Sequence, residues 1–109
     1  MKYVYPALFR TESIGGYSVR FPDIRQGGTS GSSMLEAIEY AEDFLCGSLY
    51  HMEEDGRPIP PVTDPATIKL NEGEFVTLVV VETDDYRKWH EEQAAMKAAK
   101  KKPELAPVG

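Results

Sequence analysis

The chain has 109 residues, 41% of them hydrophobic and 28% charged, with a formal net charge of −6. That length holds one small domain with at most a tail, and no apolar run approaches the roughly 18 residues of a membrane span. The lone Cys46 excludes an internal disulfide and suits a reducing compartment. The charge is unevenly spread: residues 1–85 carry six Lys/Arg against fifteen Asp/Glu, a net of −9, whereas residues 86–109 carry six against three, a net of +3. An acidic body is a poor nucleic-acid binder, because neutralising phosphate takes clustered Lys and Arg; the charge either steers it toward a basic protein or serves only solubility, as in many small acidic proteins. The N-terminal MKYVYPALFR lacks the basic, apolar and small-residue layout of a signal peptide, so a cytoplasmic location is expected.

In chain order, residues 2–10 alternate Tyr3, Tyr5, Ala7 and Phe9 with Lys2, Val4, Pro6, Leu8 and Arg10, the period-two pattern of a strand. Pro6 has no N–H to donate, which predicts an edge position or a local irregularity. The Gly15-Gly16 turn leads into a second strand over 17–21, in hairpin relation to the first, ended by Pro22-Asp23. A short third strand over 27–31 is the weakest expectation, given its glycines and serines. A long helix over 33–55 is the strongest. Ser33 and Glu36 match a capping box, Met34, Ile38, Ala41, Leu45, Leu49 and Met52 share one apolar face, and Asp55-Gly56 forms the stop. Residues 57–69 contain four prolines and read as a loop. The FVTLVVV run over 75–81 is apolar on both faces, which predicts a central strand covered on both sides. Thr83 as N-cap, followed by Asp84 and Asp85, predicts a second helix over about 84–100, with the Lys-rich end fraying.

Groups able to do chemistry are sparse. His51 and His90 sit on different elements without Cys or His at metal-ligand spacing. Cys46 lies beside the acidic side of the long helix, where its pKa would rise and leave it inert. The glycines form no phosphate cradle, and no base accompanies the hydroxyls of Thr29, Ser30, Ser32 and Ser33. Asp23, Glu36, Glu39 and Asp43 are carboxylates that a two-metal site would need to bring to one point. Glu36, Glu39 and Asp43 share the exposed helix face, however, and residues 1–10 contain no acid. A solvated face or a partner-binding stripe is favoured. No catalytic, cofactor-binding or metal-ligating residue is assigned.

The opening YVYPALF, the strand GGYSVRFPDI, the helix GSSMLEAIEYAEDFL, the following EEDGRPIPPV and the final FVTLVVVETDDYRKWHEE occur in an order and spacing that resemble the HicB family of antitoxins. Together these pieces cover residues 1 to about 92. The resemblance implies an α+β fold of partial RNase H-like type: a small, mainly antiparallel sheet of three to four strands packed on one long amphipathic helix, with a C-terminal helix. It also implies a domain over residues 1–85, and a C-terminal helix and basic tail over 86–109. The implied partner is a small basic HicA-like ribonuclease toxin, whose active site and RNA surface the antitoxin covers without enzymatic activity. Candidate partner-binding residues are then Phe21, Asp23, Glu36, Glu39 and Asp43, and candidate homo-oligomer contacts are Tyr86 and Trp89.

Two departures from the family pattern stand out. Many relatives follow the second strand with LPGC where this chain has IRQGG at 24–28. The 24 residues after Asp85 are also too few for the family's ribbon-helix-helix or helix-turn-helix module, so direct operator binding is not expected. Two other readings are a nucleic-acid-binding regulator acting through Lys97, Lys100, Lys101 and Lys102, and a minimal RNase H-like nuclease using Asp23 with the helix carboxylates.

Overall fold

A computed structural model describes residues 1–25 and 27–105. Four strands, β1 (Lys2–Thr11), β2 (Tyr17–Arg20), β3 (Thr29–Gly31) and β4 (Glu74–Glu82), form one antiparallel sheet in the order β3-β2-β1-β4. Helix α1 (Met34–Glu54) lies across one face, and α2 (Thr83–Leu105) follows β4 without a loop. The α+β architecture expected from sequence is the one observed. Among the described residues no helix is long and apolar enough to cross a membrane.

The strand alternation decides which face meets α1. Tyr5, Ala7 and Phe9 of β1, Val19 of β2, and Val79 and Val81 of β4 pack with Ala37, Ala41, Leu45 and Leu49 of α1 into one core. Each large apolar side chain buried there contributes roughly 1.5–3 kcal/mol. Ala37 rather than Met34 heads the buried stripe of the helix, and Met34 is exposed. At this end β3 comes so close that only a small side chain fits beneath the first turn.

Strand order differs from the expectation at two places. β1, not β4, is central: it pairs with β4 from Lys2–Glu82 to Arg10–Glu74 and with β2 from Leu8–Arg20 to Thr11–Tyr17. Pro6 is tolerated because β2 reaches only as far as Leu8, so β1 is locally an edge where the missing donor falls. β4 is an outer strand with its second face open: Leu78 is 54% and Val80 52% exposed. On that face the Arg20–Glu74 ion pair reaches over β1, and Leu8 beneath it is buried.

The ends of α1 follow its sequence. Ser33 Oγ accepts from the Glu36 N–H, while Glu36 Oε1 accepts from the Ser32 N–H rather than from Ser33, so the expected capping box closes one residue early. At the other end Gly56, with φ +66°, forms a Schellman stop in which the Gly56 and Arg57 N–H groups return to the Glu53 and Met52 carbonyls. The proline-rich connection then crosses back to β4, with a 3-10 turn over Pro65–Thr67 capped by Asp64. α2 runs to Leu105, past the end expected near residue 100, and the domain boundary drawn at residue 86 falls inside it. The side chains of Lys100, Lys101 and Lys102, and residues 106–109, lie outside the described residues.

Candidate functional site

The residues singled out from sequence have divergent fates. Phe21 is buried, its ring stacked 5.9 Å from Phe44 of α1, which leaves it no surface for a partner. Both Asp23 carboxylate oxygens are occupied by Thr63: Oδ2 accepts from its N–H at 3.1 Å and Oδ1 from its hydroxyl. Asp23 therefore ties the exit of β2 to the loop after α1, aided by the Tyr5 hydroxyl, which donates to the Pro60 carbonyl. Glu36 serves the helix cap. Glu39 and Asp43 are exposed. Among the described residues no cluster of three His, Cys, Asp or Glu side chains converges to hold a metal ion.

What the structure adds is the seam between α1 and α2. Asp43, Cys46, Gly47 and Tyr50 fall at i, i+3, i+4 and i+7, a second helical stripe beside the core stripe. Gly47 leaves room for the Tyr86 ring, and Tyr50 meets Tyr86 at 5.0 Å and His90 at 5.6 Å. Trp89 lies 5.8 Å from Tyr86 and remains 53% exposed. The two histidines belong to this aromatic seam, with His51 edge-on to Tyr50. Burial pushes the Cys46 thiol pKa up, and the charges of Asp85 and Asp43 add to the rise. Its Sγ donates to the Glu82 carbonyl at 3.3 Å.

Glu53 locks the seam from below. Its Oε2 accepts from the Tyr3 hydroxyl at 2.7 Å and lies 3.0 Å from Thr83 Oγ1, while Oε1 pairs with Arg87 at 3.1 Å. Arg87 also pairs with Glu54 and lies over the Tyr50 ring at 4.9 Å. Thr83 was expected to cap α2. Instead it is fully buried, its one hydroxyl proton shared between the Met1 carbonyl and Glu53. Sequence alone did not single out Glu53 or Arg87, and it read Asp85 only as a charge favouring the start of α2. The available signal was the pair of small residues Cys46-Gly47 in a helix of large side chains, which marks where another element comes close.

Burial, reinforced by the Glu53 carboxylate, holds the Tyr3 phenol up to about 12. The unfolded chain ionises this group near pH ~10, so its neutral form favours the folded state below that value. That contribution is lost as pH climbs from the unfolded value to the folded one. Unfolding experiments between those limits should show stability falling more steeply for the wild type than for Tyr3→Phe, and an ultraviolet titration should show Tyr3 among the last phenols to ionise.

Between α1, β4 and the start of α2 these residues enclose a groove of about 850 Å³, with Tyr40, Phe44, Tyr86 and Trp89 presenting aromatic surface and Asp43 and Asp85 at its sides. It presents aromatic faces, carboxylates and a thiol whose pKa burial raises.

No family model matches the chain. Antitoxin HicB 1 of Photorhabdus laumondii subsp. laumondii is 39% identical over 56 residues, a match spanning 51% of this chain and 36% of that relative's length. Among solved structures, a chain of a toxin–antitoxin complex from Streptococcus pneumoniae superposes over the whole of both chains with a TM-score of 0.74 at 18% identity. A chain of the HicA3 and HicB3 toxin–antitoxin complex gives a TM-score of 0.60 at 22% identity, covering 73% of this chain and 99% of its own. The Burkholderia pseudomallei antitoxin HicB gives 0.61 at 18%, covering 71% of this chain and 61% of its own. These structural likenesses establish the fold. By the matched segment the chain is similar to a HicB antitoxin over about half of its own length and about a third of that relative's, and by its fold it resembles chains of HicB and toxin–antitoxin structures.

Proposed function

We propose that this chain is the antitoxin of a toxin–antitoxin pair, binding a small basic HicA-type ribonuclease and covering its active site and RNA surface. The observation that carries the reading is the fold shared over the whole chain with a component of a toxin–antitoxin complex. The net charge of −9 on residues 1–85 supports it, because a protein that grips RNA must itself be basic and is drawn to such a body. The role needs no catalytic group, cofactor or metal from this chain, and it places the protein in the cytoplasm. Glu39 and Asp43 remain surface carboxylates able to meet the toxin, and Tyr86 and Trp89 remain candidate contacts between copies.

The test is to mix the purified chain with the product of the neighbouring gene. A stable complex and loss of RNA cleavage are expected. A soluble basic neighbour that forms no complex at micromolar concentration would sink the proposal.

A further inference from the structure

The groove between α1, β4 and α2 combines three properties rarely left open together. Its surface is aromatic, with Tyr40 46% and Trp89 53% exposed. Its lining contains four acids, Glu42, Asp43, Glu82 and Asp85, and no Lys or Arg; among the described residues only Glu82 of these is paired, to the Met1 ammonium at 2.8 Å. Among the described residues, neither Asp43 of α1 nor Asp85 of α2, both of which line the groove, has a cation within ion-pair distance. The Glu53–Arg87 lock sits elsewhere on the seam and holds these walls in place without neutralising them.

Those properties select the occupant. A purely apolar ligand would desolvate the two carboxylates without compensation. Nucleic acid, an acidic peptide or a phosphorylated segment would be repelled by them. A segment with Lys or Arg flanking an apolar side chain satisfies both demands, since the cations pair with the carboxylates and the apolar group covers the rings. An Arg would also gain from stacking on Trp89 or Tyr86.

We propose that this groove is the docking surface for a basic polypeptide segment of the partner, which seats an apolar side chain against Phe44, Tyr86 and Trp89 and sets Lys or Arg against Asp43 and Asp85. The partner's identity as the toxin rests on the antitoxin reading above; the groove's preference for a basic segment does not.

Trp89 is the only tryptophan in the chain, so its emission reports the groove directly. The first probe is a Trp-free amphipathic peptide of Lys and Leu, with a Glu and Leu peptide as its counterpart. The basic peptide is expected to shift Trp89 emission saturably, and Asp43→Lys/Asp85→Lys to weaken it about tenfold or more, as loss of complementary charge pairs does. The Glu and Leu peptide should give no shift. Both aspartates are exposed, so the fold should survive, and the milder Asp43→Asn/Asp85→Asn pair provides a second reading. The second arm titrates the neighbouring gene product into the wild type, the charge-reversed pair, and Ile14→Ser/Leu70→Ser, two exposed apolar residues outside the groove lining. Selective loss in the groove variant is the expected result.

Equal affinity for all three proteins overturns the proposal, as does a basic peptide that leaves Trp89 unchanged. So does charge reversal that only dissociates copies of this chain. If the peptide binds and the neighbouring product does not, the groove assignment stands and the antitoxin reading falls.

Discussion

Gly31→Ala is expected to lower the unfolding free energy by about 3 kcal/mol, the upper part of the range for overpacking a closed site. A Cβ at this position would lie 2.4 Å from the Ala37 nitrogen, 2.7 Å from its Cα and 2.8 Å from the Glu36 carbonyl carbon. All three atoms are backbone in the first turn of α1, so no side-chain rotamer relieves the clash. Gly31 does not have a positive φ, so the penalty measures contact alone. Either β3 leaves its pairing with Tyr17 of β2 or the start of α1 lifts from the sheet. Urea unfolding followed by circular dichroism measures the loss, and a change below about 1 kcal/mol would show that the helix and strand are less tightly apposed.

Glu53→Ala is expected to cost about 2–3 kcal/mol, since it strips a part-buried carboxylate from the Tyr3 and Thr83 hydroxyls and from Arg87. Thr83 is fully buried and water cannot freely replace its partner, although the Met1 carbonyl at 3.2 Å remains within reach. The loss should be local as well as global, because Glu53 joins the end of α1 to β1 and to the first turns of α2. Trp89 emission in the folded variant should therefore move as the α1–α2 seam loosens. Thermal unfolding together with Trp89 fluorescence checks both effects. Unchanged emission with full stability would remove Glu53 from its locking role.

The two variants also separate the parts of the chain on which recognition depends. Gly31→Ala disturbs the start of α1, near Glu36 and Glu39, whereas Glu53→Ala disturbs the wall that carries Asp85 and Trp89. If the groove is the docking surface, binding of the basic peptide should suffer more from the second than from the first at equal fraction folded.

Misreadings of individual residues have physical reasons. FVTLVVV looked like a central strand because its composition is apolar on both faces, but composition records what a strand could bury and not which neighbours cover it. β1 took the central place instead, with Pro6 accommodated by the short reach of β2. Asp23, at the exit of β2, reads from sequence as a candidate partner-binding carboxylate. Its partner Thr63 is 40 residues away in sequence, and nothing periodic connects them. Phe21, at a strand exit, gave no sign that Phe44 would close over it.

By itself, the sequence determined the elements: the hairpin strands by alternation, α1 by its apolar stripe and its Ser33 and Gly56 ends, and the start of α2 near Thr83. These signals are local, written within a few residues by side-chain direction and by backbone groups seeking partners. It also determined the uneven charge. Only the tertiary structure decided that Asp23 is a clamp and that Glu53 joins Tyr3, Thr83 and Arg87. It also decided that Asp43 and Asp85 face one aromatic groove. Those pairings depend on chain segments tens of residues apart meeting in space, where burial and strand order, rather than spacing along the chain, set which groups are bound and which remain open.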